Sequence, residues 1–70
     1  MTGKRLVALL LKRGCVTRQA KGSHVRVRCG KCFTTIPVHA GEELRKGLLA
    51  QIVRDLEPCL AEGWLDGEEK

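Results

Sequence analysis

Across residues 1–41 the sequence contains no aspartate and no glutamate, against nine lysines and arginines. Tyrosine is absent, and phenylalanine and tryptophan occur once each. The longest apolar run is residues 6–11, six in all, where a membrane-spanning helix needs about 20. Each scarcity excludes something. Without a long apolar run there is no membrane span. With two aromatic side chains there is little to stack unpaired bases on, so contact with a nucleic acid is expected to run through backbone and ribose. The basic N-terminal segment has neither the apolar core nor the small-residue cleavage site of a secretory signal, which points to a cytoplasmic protein. A chain of 70 residues is also too small to enclose haem or a dinucleotide, so no organic cofactor is expected.

What is present is one small globular domain. Hydrophobic residues make up 43% and charged residues 30%, well outside the composition of disordered chains. A domain of this size buries only about 60% of the surface its unfolded chain exposes, so its core is thin. The net charge of +5 hides a sharp division. Residues 1–41 carry +9, and residues 42–70 carry −4. A wholly basic half is the electrostatic footprint of a polyanion binder, because each phosphate contact releases condensed counterions. A solvated surface that only keeps the chain soluble is the plainer alternative.

Periodicity divides the chain into five elements. Thr2 is a candidate N-cap for a helix in which Leu6 with Leu10 and Val7 with Leu11 repeat at i, i+4, widened by Leu9; Gly14 ends it. Residues 15–20 read as a first strand. Residues 24–29 alternate without a fault, with Val25, Val27 and Cys29 on one face and His24, Arg26 and Arg28 on the other. Gly30-Lys31 makes a two-residue hairpin turn, and residues 32–38 form a third strand whose Pro37 belongs at a strand end or sheet edge. A second helix begins after Lys46-Gly47, with Leu48, Ile52 and Leu56 as core and Leu49 and Val53 beside them, and is expected to stop at Pro58. Residues 58–70 read as a tail, with Leu60 and Trp64 four apart and suited to one short further turn of helix.

The result is an α+β domain of αβββα order, a three-stranded antiparallel sheet with two helices on one face. The other face then meets solvent, and the row His24, Arg26, Arg28 belongs there, because burying it would be costly.

This order of elements resembles the double-stranded-RNA-binding-domain-like fold. Within that fold the sequence is similar to the HicA toxins of bacterial toxin–antitoxin modules. The matching residues are Thr2-Gly3-Lys4; Lys12-Arg13-Gly14-Cys15-Val16; Arg18-Gln19-Ala20-Lys21-Gly22-Ser23-His24; Ile36-Pro37-Val38-His39; and Glu43-Leu44-Arg45-Lys46-Gly47-Leu48-Leu49 through Ile52. The resemblance spans residues 2–56 and implies an RNA-cleaving domain over residues 1–57. It implies an endoribonuclease that cleaves mRNA, inhibited by a HicB-type antitoxin and oligomeric mainly through that complex. It also places the catalytic histidine of the Gly-Ser-His motif at His24. The cysteine-flanked turn Cys29-Gly30-Lys31-Cys32 and the tail depart from the family pattern.

The residues suit that chemistry. RNA carries its own nucleophile, and a base that takes the 2′-hydroxyl proton lets that oxygen attack the adjacent phosphorus. Histidine, with an ordinary pKa of about 6.5, is largely neutral in the cytoplasm and fits the role. Lys21, Arg26 and Arg28, with Arg18 nearby, are candidates to hold the phosphate and stabilise its growing charge, and Ser23 and the Gly22 backbone to add hydrogen bonds. No metal is required. His39 reads as a loop residue, and the group that protonates the leaving oxygen is left open. Two other readings stand beside this one. The same charge and fold would serve a non-catalytic RNA-binding module. Cys29-x-x-Cys32 has the spacing of a zinc knuckle, with Cys15, Cys59, His24 or His39 available to complete four ligands. The favoured view of the cysteines is reduced thiols filling space in the core.

Overall fold

The computed structural model describes residues 1–66. Its elements are α1 (Gly3–Lys12), β1 (Val16–Gln19), β2 (His24–Cys29), β3 (Cys32–Pro37) and α2 (Lys46–Leu60). The strands form one antiparallel sheet in the order β1-β2-β3, which places β2 in the centre and Pro37 at the end of an edge strand. Thr2 caps α1 as expected, its hydroxyl accepting from the Arg5 amide at 3.1 Å. Cys29 pairs with Cys32 across the Gly30-Lys31 turn, so the whole β2–β3 register follows from a two-residue connection.

The core lies on one side of the sheet. Leu6 and Leu10 from α1, Val27 from β2, Ile36 from β3, and Ile52 and Leu56 from α2 are all fully buried. Strand residues of the opposite parity are exposed along β2, so both helices cover the same face. Helix α2 docks antiparallel to β3, where the Thr34 hydroxyl donates to Asp55 Oδ2 at 3.0 Å; this satisfies the one buried polar side chain of the core. The N-terminus of α1 sits close to the end of β3. A Cβ built on Gly3 would lie 2.1 Å from the Pro37 carbonyl oxygen, so only glycine fits.

Five expectations are corrected. Leu11 is half exposed, because it lies at the outer margin of the α1 stripe whose centre is Leu6 and Leu10. Leu48 is exposed in the first turn of α2, where its neighbour Leu49 turns toward the core instead. Pro58 does not stop α2, which runs on to Leu60. Proline here forfeits one hydrogen bond, but Leu60 packs against the core and Cys59 is tied to Cys32, which hold the last turn in place. Past Leu60, residues 62–66 form turns and not a further helix. They return Trp64 and Leu65 to the core, with the indole Nε1 donating to the Val53 carbonyl at 3.1 Å. Residues 67–70 of the tail lie outside the described residues.

The cysteines are the fifth correction. Instead of reduced thiols there are two disulfides, Cys15–Cys29 and Cys32–Cys59, with Cα separations of 4.5 and 6.1 Å. The hairpin places Cys29 and Cys32 side by side at one end of the sheet, next to the residue that precedes β1 and the last turn of α2 respectively. The first bond fastens the start of β1 to the central strand, and the second fastens α2 to the edge strand. Both sulfurs of the Cys29-x-x-Cys32 pair are thereby committed, which leaves no thiolate there to ligate zinc.

Two outcomes test this account. Gly3→Ala should cost about 2 kcal/mol or more of stability, since the added methyl meets backbone and not a movable side chain; a Tm equal to that of the unmodified protein would refute the close approach. The Cys32–Cys59 bond spans 27 residues, and a loop of that size should contribute about 3 kcal/mol by constraining the unfolded chain. The double variant Cys32→Ser/Cys59→Ser should therefore unfold at clearly lower denaturant.

Candidate functional site

β2 alternates strictly between exposed and covered positions from Arg26 to Cys29, and His24 and Arg26 are both exposed with Val25 half-buried between them. His24, Arg26 and Arg28 thus project together from the uncovered face, as the alternation predicts. Register extends the row sideways, because directly paired residues of antiparallel strands point to the same face. Arg18 of β1 pairs with Arg26, Val16 pairs with Arg28, and on the other side Thr35, Phe33 and Pro37 pair with Arg26, Arg28 and His24. The open face therefore carries three arginines and one imidazole. No residue of the three strands is acidic.

Arg18 and Arg26 stand directly opposite each other, an arrangement of like charges that is itself destabilising. Among the described residues, no carboxylate lies within ion-pair distance of Arg18, Arg26 or Arg28. The sheet thus holds concentrated positive charge with no internal partner, a field suited to a polyanion.

His24 is positioned by the turn that precedes it. Gly22 adopts φ +67°, a conformation that side chains resist, and lets the chain reverse after Lys21. The Ala20 amide donates to the His24 carbonyl at 2.9 Å, and the Val38 amide donates to the Ser23 carbonyl at 2.7 Å. The imidazole Nδ1 lies 3.3 Å from the Lys21 carbonyl oxygen. A carbonyl only accepts, so Nδ1 is the donor in this contact and Nε2 is the ring nitrogen left over.

Of the residues singled out in the sequence, Lys21, Gly22, Ser23 and His24 are brought together in and after one turn, with Arg18, Arg26 and Arg28 on the adjoining sheet surface. His39 is exposed in the loop beyond β3 and outside the row. Two residues were missed. Gln19 donates from Nε2 to the Gly22 carbonyl at 3.1 Å, with the His24 carbonyl at 3.4 Å, so one amide braces both sides of the turn. It lies inside the Arg18–His24 segment, but no periodicity distinguishes it. Phe33, the single phenylalanine, is 68% exposed on the same face as the arginines. Gln19→Ala should speed amide exchange over residues 20–24 about fivefold or more and lower Tm by only a few degrees, the loss of a roughly 1 kcal/mol local bond; unchanged exchange would mean the turn holds itself.

Among the described residues no helix is long and apolar enough to cross a membrane. Comparison with curated proteins and with solved structures gave no match. Residues 3–57 match the family described as HicA toxin of bacterial toxin-antitoxin, a span that covers most of the chain and includes both helices' core positions and the whole sheet. The chain belongs to the HicA family of toxins of bacterial toxin–antitoxin modules.

Proposed function

We propose that this toxin is an endoribonuclease that cleaves mRNA in the cytoplasm, with His24 as general base. The observation that carries the reading is the exposed imidazole whose Nδ1 faces the Lys21 carbonyl, beside an arginine cluster that has no carboxylate partner among the described residues. In the proposed reaction Nε2 of His24 removes the proton of a ribose 2′-hydroxyl, and that oxygen attacks the neighbouring phosphorus. Lys21, Arg26, Arg28 and Arg18 hold the phosphate and stabilise the added charge on its oxygens. Ser23 and the Gly22 backbone lie within the same turn to contribute hydrogen bonds. The leaving 5′-oxygen departs with a proton from a donor that is not assigned, and the first product carries a 2′,3′-cyclic phosphate.

Inhibition by a HicB-type antitoxin fits the same surface. A protein that covers His24 with carboxylates would occupy the places of successive phosphates and neutralise the Arg18–Arg26 repulsion, and assembly of the module would then run through the toxin–antitoxin contact.

A non-catalytic RNA-binding role makes the opposite forecast for one substitution. His24→Ala should abolish cleavage, a loss of about a hundredfold or more, while RNA binding persists within a few fold because the arginines remain. Cleavage by the variant at the original rate would remove His24 from the mechanism, and 3′-hydroxyl ends in place of cyclic phosphate would exclude attack by the 2′-oxygen.

A further inference from the structure

The open face bears an apolar feature that the arginine chemistry does not use. Phe33 is 68% exposed and Val16 56% exposed, and both pair with Arg28, one from each flanking strand. A single row across the sheet therefore reads Val16, Arg28, Phe33. Neither Phe33 nor Val16 belongs to the core cluster or to the residues packed against it. A phenyl ring held in water on the open face is costly surface for so small a domain. The next rows along the sheet are Arg18, Arg26 and Thr35, and then His24 and Pro37. Successive rows are two residues apart, about 7 Å, so the Phe33 row lies about 14 Å from the His24 row. A comparable step separates consecutive phosphates of an extended single strand.

We propose that Phe33 is a base-stacking subsite for single-stranded RNA, placed two nucleotides from the bond that His24 addresses. This rests on the cleavage reading above and adds to it a position at which the RNA is gripped by a base and not by its backbone. With one phosphate at His24 and the next against Arg18 and Arg26, the strand reaches the third row with its base over the Phe33 ring. Arg28 lies opposite that ring, where a guanidinium serves the adjoining phosphate or stacks on the same base. The absence of acidic residues from all three strands favours an anionic ligand on this face. Stacking of this kind accepts any base and favours the larger purine faces. A duplex cannot use it, because paired bases are not free to splay onto the sheet.

The full chain carrying His24→Ala, which binds without cutting, allows the subsite to be measured by titration with a fluorescently labelled single-stranded RNA oligonucleotide. Adding Phe33→Leu should weaken binding about tenfold, and Phe33→Trp should retain it, a loss of the size expected for one stacked base. With 2-aminopurine placed two nucleotides from the cleavage position, fluorescence should be quenched on binding, and quenching should be lost in Phe33→Leu. Because the ring is exposed, both variants should keep the parent Tm. RNA affinity that is indifferent to Phe33→Leu overturns the subsite, and weakened antitoxin binding in that same variant would assign the ring to the protein partner instead. In the otherwise unmodified toxin, cleavage that persists equally with Phe33→Leu defeats the subsite alone, whereas failure of the parent protein to bind or cleave RNA defeats the cleavage reading beneath it.

Discussion

The two-residue repeat of the central strand is the constraint on which the rest of the molecule depends. In β2 every second side chain is apolar or sulfur-bearing and faces the helices, and every second one is cationic or imidazole and faces solvent. A shift of one residue in register would push two guanidiniums into the core and expose Val27 and Cys29, which a domain this thin could not tolerate. Packing energy on one side of the strand therefore fixes the position of charge on the other. The geometry of the basic face follows from hydrophobic burial, with no separate device needed to assemble it.

Around that strand the fold uses short-range ties. A two-residue turn sets the β2–β3 register, a glycine-dependent turn sets the β1–β2 end where His24 lies, and Gly3 lets α1 approach the end of β3. Two disulfides close the opposite end of the sheet, one to β1 and one to α2. The stapled end and the imidazole end are thus at opposite ends of β2. Covalent constraints concentrate at one, and the turn over residues 20–24 at the other is held by backbone hydrogen bonds and the Gln19 amide. This division places the imidazole of His24 on an accessible rim of the sheet.

Much of this was legible from residue order. The αβββα arrangement, the Thr2 cap, the β2 faces and the hairpin at Gly30-Lys31 all follow from local rules, and each is found where periodicity placed it. Phe33 shows where such rules stop. In Phe33-Thr34-Thr35-Ile36 the burial of Ile36 carries Thr34 inward and Phe33 outward, the reverse of what hydrophobicity alone would choose at those two positions. Only pairing with β2 reveals it. The Thr34 hydroxyl is tolerated inside because Asp55, 21 positions away, accepts from it.

The sequence by itself determined the element order, the sign of the charge on the open face and the membership of His24, Arg26 and Arg28 in one row, because these depend on spacing within a few residues. Tertiary structure decided which sulfurs meet, how far α2 runs past Pro58, and that an aromatic ring stands among the arginines. Those outcomes depend on contacts between segments far apart in the chain, and no local periodicity records which distant partner will offset the loss of a hydrogen bond or cover an apolar surface.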